Sequence, residues 1–115
     1  RLRLHAIRDV GAGEELTVSY LSSIQLLEPC FKRRERLRGS HGFFCRCHRC
    51  GTSCDLARRF SCPRGCGGEV LAGAEEDHTC LVGHACSSCK AGLTRTDADR
   101  LLTLESQAGK LYEDL

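Results

Sequence analysis

Apolar residues recur along this chain with two different periods, and the change of period divides it. Arg3 to Arg8 alternates and carries Leu4, Ala6 and Ile7, which predicts a short strand. Val10-Gly11-Ala12-Gly13 follows as a turn, because glycine tolerates positive φ at little steric cost. From Glu14 to Tyr20 the apolar positions Leu16, Val18 and Tyr20 fall at period two, which predicts a second strand. A two-stranded ribbon is marginal alone and calls for a larger sheet to lie against. That sheet is not in this sequence. Phe31 to Arg38 predicts a short basic helix with Phe31 and Leu37 as its apolar positions, opened by Pro29 and ended by Gly39-Ser40-His41-Gly42. From Thr96 to Leu115 the period is helical. Leu101, Leu104, Ala108, Leu111 and Leu115 make one apolar stripe, Thr96 is the expected N-cap, and Asp97 and Asp99 sit where the helix dipole favours negative charge.

Composition adds one dominant fact. Among 115 residues there are ten cysteines and no Trp or Met, so a thin apolar core must be supported by cross-links. Three of the cysteines, Cys45, Cys47 and Cys50, fall within six residues. Disulfide geometry makes Cys45 and Cys47 awkward partners, whereas a tetrahedral zinc ion gathers several thiolates at about 2.3 Å. A second set, Cys62 with Cys66 and Cys86 with Cys89, forms two tight pairs separated by about twenty residues, the spacing of a zinc ribbon. Gly65, Gly67 and Gly68 suit the turns that aim backbone amides at sulfur. His78, Cys80 and His84 are close enough in sequence to replace a member of the second pair. Cys30 and Cys54 are expected to be spare or buried thiols.

Charge decides less. The net charge of +2 argues neither for nor against nucleic acid, and Lys32, Arg33, Arg34, Arg36 and Arg38 are expected to form the solvated side of a helix. Few aromatics weaken a nucleic-acid-binding zinc ribbon further. No stretch approaches the length of a membrane span. The chain has no initiator Met and begins as if in mid-strand, so a piece of a longer protein is expected. The cysteine spacing favours zinc in an intracellular setting, the nucleus, the cytoplasm or both.

Three pieces in fixed order carry a family resemblance. Ala6 to Tyr20, with Glu14-Glu15-Leu16-Thr17-Val18-Ser19-Tyr20 at its end, resembles the last strands of a SET domain. The Arg-rich linker and the Cys45, Cys47, Cys50 cluster resemble the post-SET zinc segment. Phe43-Phe44 before that spacing resembles the SET-and-MYND (SMYD) branch and its arthropod relatives. The expected fold is a small mixed α+β, zinc-stabilised chain. Residues 1–21 would end the SET domain, 22–54 would hold the linker helix and post-SET zinc segment, 55–92 a zinc-ribbon-like insert, and 93–115 the start of a helical region.

The family's members are protein-lysine methyltransferases that use S-adenosylmethionine, and the resemblance carries over residue by residue. Tyr20 is similar to the catalytic tyrosine, and Phe43 to an aromatic that packs on the cofactor adenine. The metal ligands it implies, with the ribbon pairs, are Cys45, Cys47, Cys50, Cys62, Cys66, Cys86 and Cys89. The glycine-rich cofactor segment and the Asn-His-Ser-Cys motif would lie upstream of Arg1, and that motif's cysteine supplies the fourth post-SET zinc ligand. The MYND finger is missing too. The chain alone is therefore expected to be inactive, and the partner of the whole protein to be a lysine of a histone or another protein. The alternative is a SET-derived zinc module that binds protein without catalysis.

Overall fold

The computed structural model describes residues 1–73 and 81–114. A short 3-10 turn at Gln25–Leu27 precedes helix α1 (Cys30–His41), an antiparallel pair β1 (Cys54–Ser61) and β2 (Glu69–Gly73), and helix α2 (Arg95–Glu113). This is the small mixed α+β architecture expected of the chain.

The strands lie elsewhere than expected. Residues 3–8 and 14–20 form none, and Leu4, Ile7, Leu16 and Val18 are exposed. Only the turn between them forms, with Gly13 at φ 81° and the Glu14 amide donating to the Gly11 carbonyl at 3.1 Å. A strand needs a neighbour for its amides and carbonyls, and among the described residues no strand pairs with this segment. The pairing goes instead to β1 and β2. Phe60 faces Val70 and Ser61 faces Glu69, with an irregularity between Cys54 and Arg59. Along β2, Val70 and Ala72 point inward at period two. They meet Cys62, Leu81, Cys86 and Leu93, and the core closes with Ala98 and Leu101 of α2.

Helix α1 shows the expected periodicity with unexpected residues. Its buried positions are Cys30, Arg33, Arg34 and Leu37, spaced i, i+3, i+4 and i+7. Lys32 is half-buried and only Arg36 and Arg38 are exposed. The solvated-face expectation for the basic run therefore fails at Arg33 and Arg34. Gly42 ends the helix at φ 72°, its amide donating to the Arg38 carbonyl at 3.1 Å. At the other end Pro29 offers no side-chain cap, and the buried Asp55 carboxylate of β1 accepts from the Cys30 amide instead. One carboxylate thus fixes where the helix and the sheet meet.

The cap of α2 is Thr94 rather than Thr96. Thr94 Oγ1 accepts from the Asp97 amide at 3.2 Å, and the Asp97 carboxylate accepts from the Thr94 amide at 3.0 Å, a reciprocal capping box. These bonds hold the Asp97 carboxyl below its usual range. Of the expected stripe only Leu101 is buried, while Leu104, Ala108 and Leu111 are exposed and Leu115 lies outside the described residues. The first turns of α2 reach the core; the later ones run past it. Arg58, 1% exposed on β1, links the elements by pairing with Glu105 of α2 at 2.8 Å and lying over the Phe31 ring of α1 at 5.6 Å. No helix among the described residues is long and apolar enough to cross a membrane.

Candidate functional site

Local spacing becomes convergent geometry at two places. The sulfurs of Cys62, Cys66, Cys86 and Cys89 all lie within 4.8 Å of one another. Cys62 and Cys89 are 3.9 Å apart and Cys66 and Cys86 are 3.5 Å apart. Ligands at about 2.3 Å from a tetrahedral ion sit about 3.8 Å from each other, so the four sulfurs fit zinc. Each pair opens a turn whose amide faces back onto sulfur. The Gly68 amide donates to Cys66 Sγ and the Ser88 amide to Cys86 Sγ, both at 3.4 Å. Gly65 and Gly67 supply the positive φ values of 68° and 80° in the first knuckle, and Lys90 adopts 58° just after the second. Gly68 has another role. A Cβ there would stand 2.5 Å from Cys86 Sγ and 2.7 Å from the Ser88 side chain. The two knuckles close on each other through that missing methyl.

The ribbon's electrostatics also suit a cation. Amides of Cys89 and Ser88 donate to Cys86 and hold its thiol down at about 6. The Arg64 amide acts in the same direction on Cys62, but burial and the neighbouring thiols outweigh it and push Cys62 up to about 11. Amides thus favour the thiolate at one sulfur while burial opposes it at another in the same cluster. A divalent ion would deprotonate the cluster. His84, a candidate replacement ligand, has Nδ1 3.2 Å from the Leu71 carbonyl and does not belong to the converging set. His78 and Cys80 lie outside the described residues.

The Cys45, Cys47 and Cys50 sulfurs form a second converging set within the same 4.8 Å limit. Burial works against the Cys47 thiolate, yet the Cys50 and Arg49 amides and the adjacent thiols draw it below its ordinary range. Cys30 packs against Cys50 in a small buried cluster with Cys45, and burial pushes its thiol up to about 11. Cys54 is exposed and belongs to neither set. Three convergent sulfurs leave one tetrahedral position for a ligand from elsewhere.

A third feature lies at the carboxy end of α1. The Tyr20 and Phe43 rings, 23 positions apart in sequence, approach to 5.7 Å between centroids, and His41 sits between them at 4.8 Å from Tyr20 and 6.4 Å from Phe43. All three are exposed, Tyr20 by 57% and Phe43 by 37%. The three rings form one exposed aromatic cluster. The sequence motifs mark Tyr20 and Phe43 separately but not His41. Its place two residues before Phe43, at a helix end, was the available signal.

Comparison with known proteins gives these features a family context. Histone-lysine N-methyltransferase SMYD3 of Homo sapiens is 45% identical over 51 residues, 44% of this chain and 11% of that protein. Histone-lysine N-methyltransferase SET5 of Meyerozyma guilliermondii is 45% identical over 49 residues, 43% of this chain and 10% of the relative. Protein-lysine N-trimethyltransferase SMYD5 of Danio rerio is 38% identical over 56 residues, 49% of this chain and 14% of the relative. The likeness is to SET-type protein-lysine methyltransferases. It is the resemblance that the Tyr20 and Cys45 motifs had pointed to. The chain matches only about a tenth of the length of these relatives. No family model matches the chain, and no solved structure does.

Proposed function

We propose that this chain is the carboxy-terminal part of a SET-type, S-adenosylmethionine-dependent protein-lysine N-methyltransferase, and that it does not transfer methyl groups alone. The observation that carries this is the aromatic face. Residues 1–21 would end the SET domain, and residues 22–54 would bring a post-SET segment beneath it, which is how Phe43 comes to lie 5.7 Å from Tyr20. Substrates would be lysines of histones or other proteins, met in the nucleus, the cytoplasm or both.

Phe43 would hold the cofactor by offering its exposed ring edge and face to the adenine, and the cofactor would supply an electrophilic methyl group on sulfonium sulfur. Tyr20 would act on the acceptor. Methyl transfer is an in-line displacement that needs a positioned neutral amine more than a strong base. A phenol hydroxyl can accept from the amine and fix its line of approach. Cys45, Cys47 and Cys50 would hold one zinc ion with a fourth ligand from the upstream SET sequence, and Cys62, Cys66, Cys86 and Cys89 a second.

The test is Tyr20→Phe in the full-length protein. A hundredfold loss of methylation rate is expected, about 2.7 kcal/mol of barrier, with zinc content and melting temperature unchanged. A packing tyrosine would do the reverse, losing about 1 kcal/mol of stability and leaving the rate intact.

A further inference from the structure

Two buried cations sit against the Cys45–Cys50 loop, one at the Cys50 sulfur and one at the Cys45 and Cys50 carbonyls. Arg33 is 2% exposed and Arg34 is 8% exposed. Placing a guanidinium out of water is costly unless an anion or a full set of acceptors meets it. Among the described residues, Arg33 donates to the Glu28 carbonyl and to Cys50 Sγ, the latter at 3.6 Å. Arg34 donates from Nε to the Cys45 carbonyl at 3.1 Å and from Nη2 to the Cys50 carbonyl at 3.0 Å. Its guanidinium also lies over the Phe44 ring at 4.1 Å. The two side chains therefore grip the first and last cysteines of the loop and one of their sulfurs.

The chemistry of a thiolate centre explains why cations are there. Three or four thiolates around a divalent ion carry a net charge of about −1 or −2, which burial disfavours without compensation. Protonated thiols would leave Arg33 facing a neutral sulfur. Metal-bound thiolates give it an anion. We propose that Arg33 and Arg34 are positioning residues of the Cys45–Cys47–Cys50 metal centre, compensating its thiolate charge and fixing its loop, so that α1 and the centre form one unit. This rests on the zinc assignment above and extends it to residues that do not ligate. The ribbon is the internal comparison, because its described sulfur contacts are backbone amides and the other cysteines rather than guanidinium groups.

The experiment loads the full-length protein with zinc and follows release to a chelating dye. Cadmium-113 resonances of the cadmium-loaded protein assign each phase to its centre. Arg33→Met keeps the length of the side chain and removes the charge; Arg33→Lys keeps the charge. The expected result is release from the Cys45 centre about tenfold or more faster in Arg33→Met, with partial rescue by Arg33→Lys and no change at the ribbon. Circular dichroism of both variants checks that α1 remains folded. Equal release rates in all three proteins would overturn the proposal, as would acceleration of both centres together, which reports general loosening. If the unsubstituted protein shows ribbon zinc but none at the Cys45 centre, the metal assignment itself falls before any variant is compared.

Discussion

Gly68→Ala should strip the ribbon of its metal, although it adds a single methyl group. The new Cβ would stand 2.5 Å from Cys86 Sγ, about 1 Å inside ordinary contact. Core overpacking by a methyl usually costs about 1–3 kcal/mol because neighbours shift. Here the neighbour is one of the four converging sulfurs, and the position of a metal ligand tolerates only about 0.2 Å. Cys86 must therefore leave the cluster, and most of the folding energy of a structural zinc, on the order of 10 kcal/mol, goes with it. Gly65→Ala is the control. Gly65 sits at φ 68° with nothing within 4 Å of the added carbon, so only the left-handed backbone penalty of about 1–2 kcal/mol applies. Limited proteolysis between Cys54 and Lys90, with zinc content, should separate them. Gly68→Ala should be cleaved and short of one zinc, while Gly65→Ala should stay protected and loaded.

The second large effect is expected at Arg58 and Glu105. Glu105→Ala removes the carboxylate that faces a guanidinium 1% exposed, and breaking a buried pair this way costs about 3–5 kcal/mol. Replacing both partners, Arg58→Met with Glu105→Leu, should recover most of that loss, since apolar side chains of similar volume often substitute well for a buried ion pair. Denaturant unfolding of Arg58→Met, Glu105→Leu and the double variant measures the coupling. Additive losses would show that Arg58 acts through packing on Phe31 instead.

These sites were unequally legible in the sequence. The convergence of the ribbon cysteines could be read because they come as local pairs whose spacing itself encodes the turn, down to Gly65, Gly67 and Gly68. Helix α1 was visible as a helix, but its inward face was not. Cys30, Arg33, Arg34 and Leu37 repeat at helical spacing, and a pattern sought in apolar residues passes over two arginines. Thr96 looked like a cap because acids follow it, yet Thr94 is the residue whose hydroxyl meets the amide three positions on. The amino-terminal strands failed for a different reason. Alternation describes which side a residue would face once paired, and no described strand pairs with residues 3–8 or 14–20. Asp55 as the cap of α1 joins positions 25 apart and leaves no local signature.

Zinc counting separates two zinc centres on these cysteines from free or disulfide-paired thiols. Native mass spectrometry of the full-length protein, purified without chelator, should show bound zinc with reduced thiols. Cys47→Ser and Cys62→Ser should each lower the count by one, because the two sets of converging sulfurs are separate. An unchanged zinc count in both variants, or cysteines found as disulfides with less than one zinc per chain, would contradict the account.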